Sequence, residues 1–300
     1  MLRLPLALGA TAAVLAAGFV APAPASAEAT VGACYSYKVG TLGDLSSAAP
    51  AVACTAKHTA ETYYVRTLPE AFGAPSTASL AKRLSAAEPC SVKAMNSYLG
   101  MPDRKLPSRF LSVALFPTDD EWAAGQRWMR CDAVLQGGTS LVTLTQPAAA
   151  LVASAPAEQF DFCTPGTPNA KKTAAFPCNK PKSNWIKVLD RDLGKPGSAF
   201  PGSRSVENRT RSLCRAQGKT WNGKEKYPGW WAIWPTAVGW RKGQRSAQCF
   251  VPYKQYQAEL AQRAPQPTPT PAADPALTAD PAMGDANDLS FTGKDLAEPA

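Results

Sequence analysis

A chain of 300 residues with a single histidine, His58, has little of the side chain that enzymes most often use as a general base or metal ligand. Charge is sparse too: Asp, Glu, Lys and Arg make up 18% of the residues, against roughly 25% in ordinary globular chains. No cysteines stand closer than Cys163 and Cys178, so the Cys-x-x-Cys spacing of zinc and redox motifs is missing. No serine sits in a Gly-x-Ser-x-Gly elbow and no glycine-rich phosphate loop occurs. These absences remove the usual sequence support for zinc proteins, serine hydrolases and nucleotide-binding enzymes, and no cofactor or metal is expected. Beyond Val20, no apolar run approaches the ~20 residues needed to cross a bilayer.

What the chain does have is internal similarity. PTDDEWAAGQRWMRC, 117–131, and PTAVGWRKGQRSAQC, 235–249, share Pro-Thr, Trp, Gly-Gln-Arg and Cys at the same offsets. The cysteines fall into two series of four, Cys34, Cys54, Cys90, Cys131 and Cys163, Cys178, Cys214, Cys249. In both, the second and third members are 36 residues apart (54 to 90, 178 to 214). The pattern reads as a tandem duplication that copied the cysteine skeleton with the fold.

Arg3, the apolar run Leu4–Val20 and Ala25-Ser26-Ala27 fit a cleaved export signal over 1–27. An exported chain meets an oxidising compartment, where eight cysteines imply four disulfides. If each repeat keeps its bonds to itself, three pairings per repeat remain open. The sequential one joins Cys34 to Cys54, Cys90 to Cys131, Cys163 to Cys178 and Cys214 to Cys249. The expected domains are repeat one at 28–146, a proline-bracketed linker at 147–158, repeat two at 159–263, and a Pro/Ala-rich acidic tail at 264–300 too poor in large apolar groups to order itself.

Leu80, Leu84, Ala87, Met95 and Leu99 lie near helical spacing after a capping Ser79, with a break at Pro89 and a stop at Gly100. FLSVALF (110–116), QRWMRCDAVL (126–135), Tyr63–Arg66 and Leu141–Thr145 read as strands. Each repeat is thus expected to be a small antiparallel sheet with a helix, an α+β class.

The residues Gly32-Ala33-Cys34-Tyr35, then Cys54 with His58 and Glu61, a helix carrying Cys90, and Trp122-x-x-Gly125-Gln126-Arg127 closing at Cys131 resemble the septum-formation domain of actinobacterial cell-envelope proteins. That family starts with Gly-x-Cys-aromatic, continues with a cysteine followed by Pro-His and Glu, and closes from tryptophan to cysteine. Ala33 and Lys57 depart from the Asp and Pro common there. The resemblance covers 31–251 and implies an exported envelope protein tied to septation or wall organisation, with no enzymatic activity to carry over.

Candidate chemistry is thin. His58 with Glu61 is the one acid/base pair on offer for a wall hydrolase or other secreted enzyme, but the segment looks extended, which would place the two on opposite faces. In repeat two, Lys182 stands where His58 does. Asp119, Asp120 and Glu121 suit the first turn of a helix better than glycoside cleavage. Trp122 with Arg127 and Trp240 with Arg245 recur in both copies and read as stacked packing pairs. Charge is more telling: residues 28–155 hold 11 Lys and Arg against 10 Asp and Glu, residues 156–263 hold 19 against 7, and the tail holds 1 against 6. Repeat two also carries six of the eight tryptophans. Lys219, Trp221, Lys224, Lys226, Trp230, Trp231 and Arg241 are therefore the expected binding residues for an anionic wall polymer or membrane surface. Envelope or division proteins are further expected partners; nucleic acid is not, for an exported chain. The whole reads as a secreted or wall-associated, non-enzymatic envelope component.

Overall fold

Proline, glycine and capping hydroxyls divide the chain into short elements. A computed structural model describes residues 29–168, 173–180, 183–195, 197–222 and 229–263. The expected signal segment and acidic tail lie outside them. In order the elements are β1 (Cys34–Tyr35), β2 (Ala60–Thr67), α1 (Leu80–Ala86), α2 (Val92–Tyr98), β3 (Phe110–Leu115), α3 (Asp119–Ala123), β4 (Trp128–Gly137), β5 (Ser140–Leu141), α4 (Ala148–Ser154), β6 (Cys163–Thr164), β7 (Trp185–Asp192), α5 (Ser203–Asn222), β8 (Trp231–Ile233), α6 (Ala237–Arg241), β9 (Ser246–Pro252) and α7 (Tyr253–Arg263). The class is mixed helix and sheet, with two antiparallel sheets.

Local chemistry sets many of the boundaries. Ser79 accepts from the Lys82 amide at 3.2 Å to start α1, and Ser91 accepts from the Ala94 amide at 3.1 Å to start α2 after the break at Pro89. Thr118 and Glu121 close a capping box at α3, so the acidic triplet is a helix start. Thr236 caps α6 by accepting from the Gly239 amide at 3.0 Å, with no acid to return the bond. Of the expected strand 141–145, only the first residue enters β5, while Leu144 makes an isolated bridge to His58.

The first sheet runs β1-β2-β4-β3, with β5 on the end of β4; the second runs β6-β7-β9-β8. Both carry a bulge in the strand beside the central one, between Thr62 and Tyr64 and between Lys187 and Leu189. Just past it, Tyr64 pairs with Cys131 and Leu189 with Cys249. Four disulfides join Cys34 to Cys54, Cys90 to Cys131, Cys163 to Cys178 and Cys214 to Cys249, which is the sequential pairing.

The segment expected as a plain linker contains α4, whose Ala148 is buried and whose Leu151 and Val152, with Ala155 just after it, pack on the first sheet's core. The two sheets belong to one compact unit ending at Gln262. Bridges Ser108↔Asp161 and Gly138↔Ala175 stitch the halves together. Gly138 is required at the second bridge: its φ is +77°, and a Cβ there would meet the Phe176 ring at 2.9 Å. Buried Arg109 spans the same seam, donating to the carbonyls of Gln136 and Gln159, the latter from Nε at 3.1 Å. Burial pushes its guanidinium down to about 10.

Inside the first sheet, Asp132 accepts from Thr62 Oγ1 at 2.6 Å, from Arg130 Nε at 3.1 Å and from the Tyr37 hydroxyl. Arg130 lies 3.7 Å over the Tyr35 ring. Asp132→Ala strands a buried cation and lowers the unfolding free energy by about 3–5 kcal/mol in urea melts. The Arg130→Met/Asp132→Leu double variant, with no charge left to strand, loses far less.

Candidate functional site

The amphipathic pattern of α5 buries Val206, Thr210 and Cys214, at four-residue steps, and turns Arg204, Arg209, Arg211 and Arg215 outward. Cys214 ties this helix to β9 through its disulfide, which fixes which face meets solvent. Arg211 donates to Glu207 at 2.8 Å one turn back and lies 5.3 Å from the Trp234 ring. Among the described residues, Arg204, Arg209 and Arg215 have no acidic partner. The Trp234 contact brings the arginine face to the end of β8, whose Trp231, 43% exposed, pairs with Phe250 and so lies on the other face of the sheet from Cys249 and α5. From α6, Arg241 and Lys242 are exposed as well.

Of the residues expected to bind, Trp231 and Arg241 are on the surface, whereas Trp230 is half-buried and packs against the second sheet's core. Lys219 and Trp221 occupy the last turn of α5, Lys219 four positions after Arg215; their side chains lie outside the described residues, as do Lys224 and Lys226 altogether. The α5 arginines were readable in the sequence: 204, 211 and 215 fall one, two or three turns apart, on the side of the helix away from Val206. The lysine-tryptophan cluster drew attention away from them.

The recurring arginine-tryptophan pairs are packing devices. Arg127 stacks 4.0 Å over Trp122, and Arg245 lies 5.2 Å from Trp240. Trp122, Trp240 and Arg245 are buried, and Trp240 Nε1 donates to the Ser198 carbonyl at 2.7 Å.

His58 and Glu61 do not lie apart as an extended segment would place them. β2 begins only at Ala60, and His58 sits in an irregular lead-in that the bridge to Leu144 holds. Donor atoms of His58, Glu61 and Cys34 all lie within 4.8 Å of one another. Both His58 and Glu61 are buried. Glu61 accepts from the Tyr98 hydroxyl and from the Ala148 amide at 2.5 Å. Each carboxylate oxygen carries one hydrogen bond, and burial keeps both groups out of reach of a polymeric substrate.

A cavity of about 600 Å³ opens where the loop after α2, the segment after α4 and α7 meet, lined by Met101, Arg104, Val152, Glu158, Asp161 and Tyr256, among others. Arg104 and Asp161 form an ion pair in its wall.

With this geometry in place, one comparison is decisive: a family model described as septum formation matches residues 31–249, more than two thirds of the chain. The chain belongs to the septum-formation family. No curated protein and no solved structure matches it. Septum-formation membership makes it a septum-related cell-division or envelope protein, and its match spans both sheets and every cysteine. Four disulfides are the chemistry of an oxidising compartment, extracellular or in the envelope. Among the described residues no helix is long and apolar enough to cross a membrane.

Burial raises Asp161 to about 6, more than Arg104 lowers it. A carboxyl whose folded pKa exceeds its unfolded one stabilises the fold most when protonated. That contribution is present below about pH 4 and lost as pH rises through about 6, amounting to about 3 kcal/mol. Asp161→Asn has no proton to lose there. Denaturant melts from pH 4 to pH 7 should show wild type weakening relative to the variant by that amount; parallel curves would refute the assignment.

Proposed function

We propose that this septum-formation protein is a secreted, non-enzymatic envelope component that holds an anionic wall polymer or anionic membrane surface against the arginine face of α5. The observation that carries the reading is the exposed stripe Arg204, Arg211 and Arg215, in which Arg204 and Arg215 are unpaired among the described residues, with exposed and unpaired Arg209 further round the same helix. Cations already neutralised by buried carboxylates have nothing left to offer a ligand, whereas unpaired guanidinium groups on a rigid helix present bidentate donors to phosphate or carboxylate. Lys219, Trp221, Lys224 and Lys226 extend the same basic stretch in sequence. The acidic tail, net −5 from 1 base against 6 acids, competes for the face from within the chain.

We further read the chain as two tandem copies behind a cleaved leader. Support comes from the like strand order, the bulge at the same place in each sheet and the like disulfide pattern. On this reading the second copy gained the basic face while the first stayed near neutral. The wall-hydrolase alternative has the closeness of His58 and Glu61 in its favour, but the burial of both away from any polymeric substrate favours the binding role.

The test is co-sedimentation of the protein from Glu28 to Ala300 with purified cell walls and with phosphatidylglycerol-containing vesicles across a salt series. Binding should fall steeply as the Debye length shortens to about 8 Å near physiological salt. Arg204→Glu/Arg209→Glu/Arg215→Glu should cut it at least about tenfold, since exposed charges contribute additively to a surface potential. Ending the chain at Arg263 should strengthen it. Binding indifferent to salt and to the arginines would overturn the proposal.

A further inference from the structure

We infer that Cys34, Cys54, His58 and Glu61 form a latent divalent-metal site, opened when a dithiol reduces the Cys34–Cys54 disulfide. Spacing along the chain argues against zinc, but folding assembles what spacing does not show. The donor atoms of Cys34, His58 and Glu61 lie within 4.8 Å of one another, and Cys54 is bonded to Cys34. A tetrahedral shell with bonds of about 2.0–2.3 Å sets its donors roughly 3.3–3.8 Å apart. The cluster therefore has to close by about an ångström, a movement that freeing the two sulfurs permits.

The orientation of the donors is what a metal requires. His58 Nδ1 lies 2.9 Å from the Ala56 carbonyl, which can only accept, so Nδ1 carries the proton and Nε2 keeps its lone pair. Nε2 is buried and has no hydrogen-bond partner. An orphaned buried acceptor beside a carboxylate and a sulfur is costly unless something occupies it. Glu61 is steered by the Tyr98 hydroxyl and the Ala148 amide, the outer-shell support that ligating carboxylates ordinarily have.

The second half supplies a contrast. Cys34 pairs across the sheet with Glu61, whereas Cys163 pairs with Ile186, fully buried at the matching register. A disulfide on this strand needs no carboxylate beside it. His58 and Glu61 are additions that the scaffold does not demand.

The chemistry balances. Cys54 is half-buried and Cys34 fully buried, so an external thiolate attacks Cys54 Sγ and Cys34 leaves as a thiolate. The reductant's second thiol then attacks its own sulfur in the mixed disulfide, releasing Cys54 as a thiolate. Two electrons pass, the dithiol becomes a cyclic disulfide, and its two protons go to solvent. Two thiolates, an imidazole and a carboxylate then match zinc in softness and number.

The test uses the protein from Glu28 to Ala300, reduced with dithiothreitol, desalted without oxygen and titrated with Co²⁺ and Zn²⁺. Expected are a thiolate-to-cobalt charge-transfer band at one equivalent, its displacement by zinc, and zinc protection of Cys34 and Cys54 from alkylation while Cys163 and Cys178 react. His58→Gln should weaken cobalt binding by about 100-fold or more, and Tyr98→Phe, which removes only a hydroxyl, by about tenfold. The same Tyr98→Phe variant reports even if His58→Gln misfolds. No charge-transfer band, protection spread over Cys163 and Cys178, or wild-type affinity in Tyr98→Phe would overturn the site.

Discussion

Both sheets depend on a disulfide that ties the helical layer to the central strand. Cys131 and Cys249 stand on β4 and β9, opposite the bulged neighbours, and reach Cys90 at the start of α2 and Cys214 within α5. The apolar interior is split into several clusters rather than one large core, and the second sheet's main cluster includes four cysteines. Small cores leave little margin against chain entropy, and closing loops of 41 and 35 residues lowers the entropy of the unfolded chain by the equivalent of about 3–4 kcal/mol each. The same bonds fix the rotation of the helices, and with it the surface that α5 presents.

Polar contacts join the halves beside the apolar ones, in which Phe160 stacks on Phe110 and Leu106 packs on the second sheet's core. Arg109 is buried with carbonyl partners, and Arg104 and Asp161 are largely withdrawn from water. Such contacts contribute little net stability because desolvation cancels much of the attraction. They are directional, however, and breaking one leaves a stranded charge. A seam built this way sets the placement of the halves more than it strengthens them.

Legibility in the sequence followed the range of the interaction. The capping box at Thr118 and Glu121, the break at Pro89 and the arginine-tryptophan stacks could be read because each is decided within a few residues. α4 was missed although Ala148, Leu151, Val152 and Ala155 have helical spacing, because the segment is only two turns long and is bracketed by prolines. The meeting of His58 with Glu61 was not legible: it depends on where β2 begins and on the cross-chain bridge to Leu144, neither of which leaves a local pattern. Nor does anything beside Arg109 in sequence show that its partners would be carbonyls of Gln136 and Gln159.

How each cation is used separates structure from binding more sharply than net charge does. Arg130 is enclosed by Asp132, Tyr37 and Tyr35, and Lys187 is buried with Asp190 at 2.8 Å and the Phe162 ring at 4.2 Å. Their removal would reach partners through the fold itself. Of the exposed arginines of α5, only Arg211 has such partners, Glu207 and the Trp234 ring, and a helix needs only its buried stripe to fold. Arg204, Arg209 and Arg215, kept on the solvent side with no acidic partner, cost self-repulsion without stabilising the helix. An anionic surface of the kind proposed would relieve that repulsion, and the helix, already fixed by Cys214, would lose little entropy in meeting it.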